Sequence, residues 1–200
     1  MSRFIKPGAA GRCLRSLRSP LLWAVTFTVL AALLTSPIGC GDDDGGPKPV
    51  IRNPEDFLPP GTEAMQKDGS PRTATDTAGL QDIVNGGFEN YTNNGFLEMV
   101  EQMYSGTVGG TSAAVRVWIF DMSSEDNCAS LHDLLLQEGA WEDWDVLGDE
   151  DHRKTSLLGF VILFRRDNYS MQLDISSNSQ DARDLLVLFA SHIDQEIQGL

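Results

Sequence analysis

The chain has 200 residues and carries 15 Lys and Arg against 29 Asp and Glu, a formal net charge of −14. Five of the basic residues, Arg3, Lys6, Arg12, Arg15 and Arg18, precede residue 40 and no acid does, so residues 40 to 200 hold ten bases against 29 acids, a net of −19. That field repels phosphate backbones and anionic headgroups, which excludes nucleic acid and suits basic partners or divalent cations. With an N-terminal stretch set aside, roughly 140 residues remain, the size of one domain with one hydrophobic core.

In chain order, the first feature is an uncharged, mostly apolar run from Leu21 to Leu34 behind those basic residues. Thr35-Ser36-Pro37-Ile38-Gly39-Cys40 follows it. Basic, then apolar, then small is the order of a secretory signal, and the run falls short of the ~20 residues that span a bilayer. Its Gly39-Cys40 ending, after Pro37 and Ile38, resembles the lipobox of bacterial lipoproteins. The resemblance implies that residues 1–39 are a signal peptide, that Cys40 is acylated as the mature N-terminus, and that the chain is tethered to the cell envelope. In enterobacterial lipoproteins an aspartate directly after the cysteine retains the protein at the inner membrane. Gly41 stands there, which implies the outer membrane of a Gram-negative cell. Cys13 leaves with the leader and Cys40 is lipidated, so Cys128 stands alone and no intramolecular disulfide is expected.

Residues 40–55 include Gly41-Asp42-Asp43-Asp44-Gly45-Gly46-Pro47, which has no hydrophobic period and reads as a flexible tether. The globular domain is expected over 56–200. Thr62 to Lys67 is a candidate strand closed by an Asp68-Gly69-Ser70-Pro71 turn. Leu80, Ile83, Val84, Phe88 and Tyr91 recur at helical spacing after Asp76, which predicts one helix from about Thr77 to Asn93. Gly86-Gly87 in its middle costs about 1 kcal/mol per glycine relative to alanine. Close approach of the helix to a sheet is the structural explanation; backbone access for a ligand is the functional one, with Asn85 and Glu89 four apart on one face.

Alternation predicts strands over Phe96 to Tyr104 and Ala113 to Phe120, paired as a hairpin across a Gly- and Ser-rich loop. Ser123 and Asp126 form a candidate capping box for a helix reaching Glu138, with Cys128, Leu131, Leu134 and Leu135 inward. Residues 138–151 hold seven acids among Trp141 and Trp144 and read as a solvated loop. Leu157 to Phe164 and Tyr169 to Ile175 form a closing hairpin, and Ser179 caps a last helix whose inner stripe includes Leu186, Phe189 and Ile193. The whole is an α+β domain, an antiparallel sheet covered by three helices in the order β-α-β-β-α-β-β-α.

Motifs for chemistry are sparse. There is no G-x-S-x-G and no P-loop. Cys128 and His132 are one helical turn apart, but a thiol nucleophile needs an exposed, electropositive setting. His132, His152 and His192 are scattered without H-x-x-x-H spacing or a Cys pair, so neither a metal nor a cofactor is expected.

The segment Val84-Asn85-Gly86-Gly87-Phe88-Glu89-Asn90-Tyr91 with Gly95-Phe96 is similar to the Ile-Asn-Gly-Gly-Ala-Glu-x-Tyr and Gly-Phe signature of the bacterial domain-of-unknown-function family 6599. Phe120-Asp121-Met122, Glu125-Asp126 and the hairpin from Gly159 to Ile175 also resemble that family, over roughly residues 56 to 198. The resemblance implies an exported domain and brings no activity with it. The reading is a non-enzymatic envelope lipoprotein that binds a small ligand or a protein through Asn85, Gly86, Gly87 and Glu89. The alternatives are a hydrolase or thiol enzyme using the same cleft, and calcium-dependent adhesion through residues 138–151.

Overall fold

A computed structural model describes residues 52–156 and 159–200. The leader, Cys40 and the tether as far as Ile51 lie outside the described residues. A 3₁₀ turn at Pro54–Phe57 comes first, followed by β1 (Met65–Ala74), α1 (Thr77–Ile83), α2 (Phe88–Thr92), β2 (Glu98–Val108) and β3 (Thr111–Asp121). The second half holds α3 (Glu125–Leu136), β4 (Glu142–Asp143), β5 (Glu150–Ser156), β6 (Gly159–Arg166), β7 (Tyr169–Ile175) and α4 (Gln180–Gln198). All strand pairings are antiparallel, in the order β1-β2-β3-β7-β6-β5-β4. Two meanders thus meet at β3 and β7, each preceding a helix that turns back onto the sheet.

The expected α+β class holds, and the differences have local causes. The β2–β3 loop is Gly109-Gly110 alone, with φ of 58° and 79°, the left-handed pair that a tight mirror-image turn requires. Ser105 to Thr107, expected as loop, pair in register with Ser112 to Ala114 because the ladder uses only backbone groups. β1 runs through Asp68-Gly69-Ser70-Pro71 with a register shift between Asp68 and Arg72. The expected turn is a bulge on an edge strand, where Pro71 takes no bond from a second neighbour. Ser124 rather than Ser123 caps α3, accepting from the Asn127 N–H at 3.2 Å. Asp76 and Ser179 cap α1 and α4 as expected, each cap being worth about 1 kcal/mol.

Alternation along β3 divides the core between the two faces of the sheet. Val115, Val117 and Ile119 face α4, which lays Ala182, Leu186, Phe189, Ala190 and Ile193 against them. Full burial of a side chain such as Phe189 is worth about 2–3 kcal/mol, and its edge-on contact with Tyr104, at 4.8 Å and 86°, adds to that. On the other face Leu80, Ile83, Tyr91, Cys128 and Leu131 of α1–α3 cover Met99 and Phe120. This second layer is smaller and leaves part of the sheet uncovered.

Arg52 to Glu55, expected in the tether, are already docked. The Tyr169 hydroxyl donates to the Arg52 carbonyl at 2.8 Å, and Arg52 pairs with Glu196 of α4 at 3.3 Å. Among the described residues no helix is long and apolar enough to cross a membrane.

Candidate functional site

The uncovered part of the second face is a cleft of about 330 Å³. Its rim is the connection between α1 and α2, which the sequence suggests as a continuous helix. The helix instead breaks: the last bond of α1 runs from the Val84 N–H to the Leu80 carbonyl, and Gly86 and Gly87 take φ of 96° and 70°. A Cβ on Gly86 would meet nothing within 4 Å, and one on Gly87 only the Asn90 amide at 3.8 Å. Close packing on the sheet therefore does not explain the two glycines. They supply the left-handed backbone that stops one helix and starts the next.

Asn85, Gly86 and Gly87 line the cleft together with Asn90 and Tyr91. Glu89 does not: the break turns it to solvent in the first turn of α2, away from Asn85. Opposite the rim stand Leu135 in the last turn of α3 and Glu138 just beyond it, and Asn90 Nδ2 donates to Glu138 Oε1 at 3.3 Å. Burial and the nearby Glu138 carboxylate hold the Tyr91 phenol well above its ordinary pKa, so it stays neutral.

The floor consists of Arg116 and Trp118 from β3 and Gln172 from β7. Antiparallel register puts Arg72, Glu101, Trp118 and Gln172 in one row across four strands. The Trp118 N–H donates to Glu101 Oε1 at 2.9 Å, and Arg72 holds the other oxygen of that buried carboxylate at 2.9 Å. One row along, Arg116 donates to Asp174 at 2.8 Å and lies 4.3 Å over the indole ring of Trp118. The floor is thus fixed before any ligand arrives, with charges already neutralised in pairs. The exposed polar groups left facing the cleft are largely carboxamides. Sequence reasoning did not single out Arg116, Trp118 or Gln172. Their signal was present only as the alternates, Arg116, Trp118 and Gln172, to the apolar Val115, Val117, Ile119, Met171 and Leu173.

Several acids of 138–151 are engaged separately by backbone N–H groups or arginines, and the expected solvated loop contains β4 and the start of β5. Asp151 is buried and accepts backbone N–H bonds from Asp145, Val146 and Leu147 at 2.6, 2.9 and 2.6 Å. Asp149 holds Arg166 at 2.9 Å, and Glu142 holds Arg153 at 3.2 Å. Cys128 is fully buried, and burial pushes its thiol up to about 12, so the thiolate an enzyme would need is not formed at neutral pH.

The histidines, scattered in sequence, are partly gathered by the fold. His132 Nε2 lies 3.1 Å from His152 Nδ1, and Glu150 Oε1 is 4.0 Å from the same His132 nitrogen. His132 is fully buried, and burial pushes its pKa down to about 4 against the opposing pull of Glu150, leaving a neutral ring. His192 lies apart, beside Phe189 and Pro59.

No family model and no curated protein matches the chain. Among solved structures it is similar to the extracellular domain of PknH from Mycobacterium tuberculosis, at 12% identity and a TM-score of 0.46, over 70% of this chain and 87% of that one. A likeness of that size decides nothing about this chain's function.

Proposed function

We propose that the protein is an exported envelope lipoprotein, anchored through acylated Cys40, whose domain binds a small polar ligand without acting on it chemically. The observation that carries this reading is the cleft itself. A rigid floor of Arg116 and Trp118 lies under carboxamides from Asn85, Asn90 and Gln172, in a volume at the lower end of small-ligand sites. Amide groups that both donate and accept, set beside a flat indole, suit a neutral hydroxyl- or amide-bearing molecule. The thiol version of the enzyme alternative lacks a reactive group in this cleft. The basic leader and the Gly39-Cys40 ending support the anchor, and Gly41 supports the outer membrane.

Backbone amide NMR tests the ligand reading. Neutral sugars and small amides are titrated one at a time, and shifts confined to residues 84–91, 116–118 and 172 are expected. Asn85→Ala and Asn90→Ala should weaken any such binding at least tenfold with the fold intact. Shifts that ignore the cleft, or binding untouched by both variants, would overturn the proposal. The anchor is tested separately by intact mass and detergent partitioning beside Cys40→Ser. An acylated product beginning at Cys40, lost in the variant, is expected.

A further inference from the structure

His132 sits on α3 and His152 on β5, twenty residues apart, and the fold brings their rings together, tilted by 49° with centroids 5.2 Å apart. We propose that His132 Nε2, His152 Nδ1 and Glu150 Oε1 form a binding site for a divalent transition-metal ion of the zinc class. It lies on the same side of the sheet as the cleft and does not depend on what the cleft binds.

Spacing is the first argument. Tetrahedral zinc with ligands at about 2.0–2.1 Å sets neighbouring donor atoms about 3.3 Å apart. The two imidazole nitrogens are 3.1 Å apart, and all three donor atoms lie within 4.8 Å of one another. Small side-chain rotations therefore bring the set onto one ion without moving the backbone.

The surroundings of the donors give the second argument. His152 Nε2 is 3.1 Å from Asp143 Oδ1, so its proton belongs on Nε2 and its lone pair on Nδ1 faces His132. A carboxylate behind an imidazole is the support that metal-binding histidines ordinarily have. Glu150 is held in the same way from behind: Arg165 Nε donates to its Oε2 at 3.2 Å and leaves Oε1 turned toward the rings.

The remaining surroundings set how tightly an ion is held. His132 is wholly buried, and its Nδ1 has no hydrogen-bond partner. A metal bond at Nε2 puts the ring proton on this unpartnered Nδ1, so His132 lacks the outer support that His152 has, and the affinity is correspondingly lower. The half-exposed Glu150 and the exposed Asp143 open the site to solvent on one side, which leaves water as the fourth ligand. Arg165 beside Glu150 opposes a dication and limits the affinity.

The test is titration of the chelator-stripped full chain with cobalt(II), read by its visible d–d absorption, and with zinc(II), read by calorimetry. One equivalent should bind with the intense spectrum of a tetrahedral site. His152→Gln should abolish that spectrum, Glu150→Gln should weaken zinc binding at least tenfold, and Asp143→Ala should weaken it about 10–100-fold. Glu150 and Asp143 reach solvent, so their variants remain informative if a change at a buried histidine prevents folding. Weak octahedral cobalt absorption alone, or zinc binding unchanged in both Glu150→Gln and His152→Gln, would overturn the proposal.

Discussion

Asp194 of α4 grips Arg166, at the end of β6, with two hydrogen bonds of 2.8 and 3.1 Å. The pair is the fork-to-fork arrangement that arginine alone can make, and Gln198 donates to the same carboxylate at 2.9 Å. It ties the longest helix to the second meander at the point where β6 turns into β7. Arg166→Ala leaves a largely buried carboxylate with one neutral donor and should cost about 2–3 kcal/mol in urea denaturation. Arg166→Lys keeps the charge and loses the fork, so it should recover less than half of that. Equal stability of Arg166→Lys and the parent would show that the charge, and not the geometry, matters.

Asp151 should be as sensitive as a core residue. Its carboxylate collects three backbone N–H groups from Asp145 to Leu147 and so folds the segment that carries the buried Leu147 onto the sheet. Asp151→Ala orphans all three donors and should cost about 3 kcal/mol, with Asp151→Asn in between. Urea denaturation followed by tryptophan fluorescence measures both. A loss under about 0.5 kcal/mol, the size of an ordinary surface change, would mean that the turn stands without its acceptor.

Gly87 separates two accounts of the Gly-Gly pair. At φ 70° and ψ 10° it is left-handed, and a side chain there has room. Gly87→Ala should cost about 1–2 kcal/mol through backbone strain, and Gly87→Asn, whose residue type tolerates this region, should cost clearly less. Were close packing the reason for glycine, the larger asparagine would be the worse of the two. Paired thermal melts of the variants decide it.

These three sites show where the sequence spoke and where it fell silent. The apolar alternation of β3 and β7, the continuous apolar run of β6 and the stripe of α4 are local patterns, and each produced its strand or helix because the burial it encodes holds along the element. The cleft was half visible. Asn85-Gly86-Gly87 is marked by its composition, but Glu89 stands beside Asn85 only in an unbroken helix, and the left-handed glycines remove that geometry. Arg116, Trp118 and Gln172 become neighbours only through strand register, which one segment does not encode. The same holds for His132 and His152, which belong to different elements and meet because α3 packs over the second meander. Asp151 was hidden among six other acids and is distinguished only by the turn that wraps it.

Cys128 gives the last prediction. The thiol is enclosed beneath α3 with Leu131 and Met122, and its pKa is raised to about 12 first by desolvation, then by Asp149, Asp121 and Glu125, against a lowering by Arg165. Both burial and the scarcity of thiolate slow its reaction with disulfide reagents. In a chain carrying Cys13→Ser and Cys40→Ser, Cys128 should remain unmodified by an aromatic disulfide at pH 8 over the time in which the same chain in denaturant reacts to one equivalent. Cys128→Ala should then behave as a small loss of core volume, about 1 kcal/mol, and leave ligand binding in the cleft unchanged. Rapid labelling of the native protein would place the thiol on a route to solvent and return a cysteine-based activity to consideration.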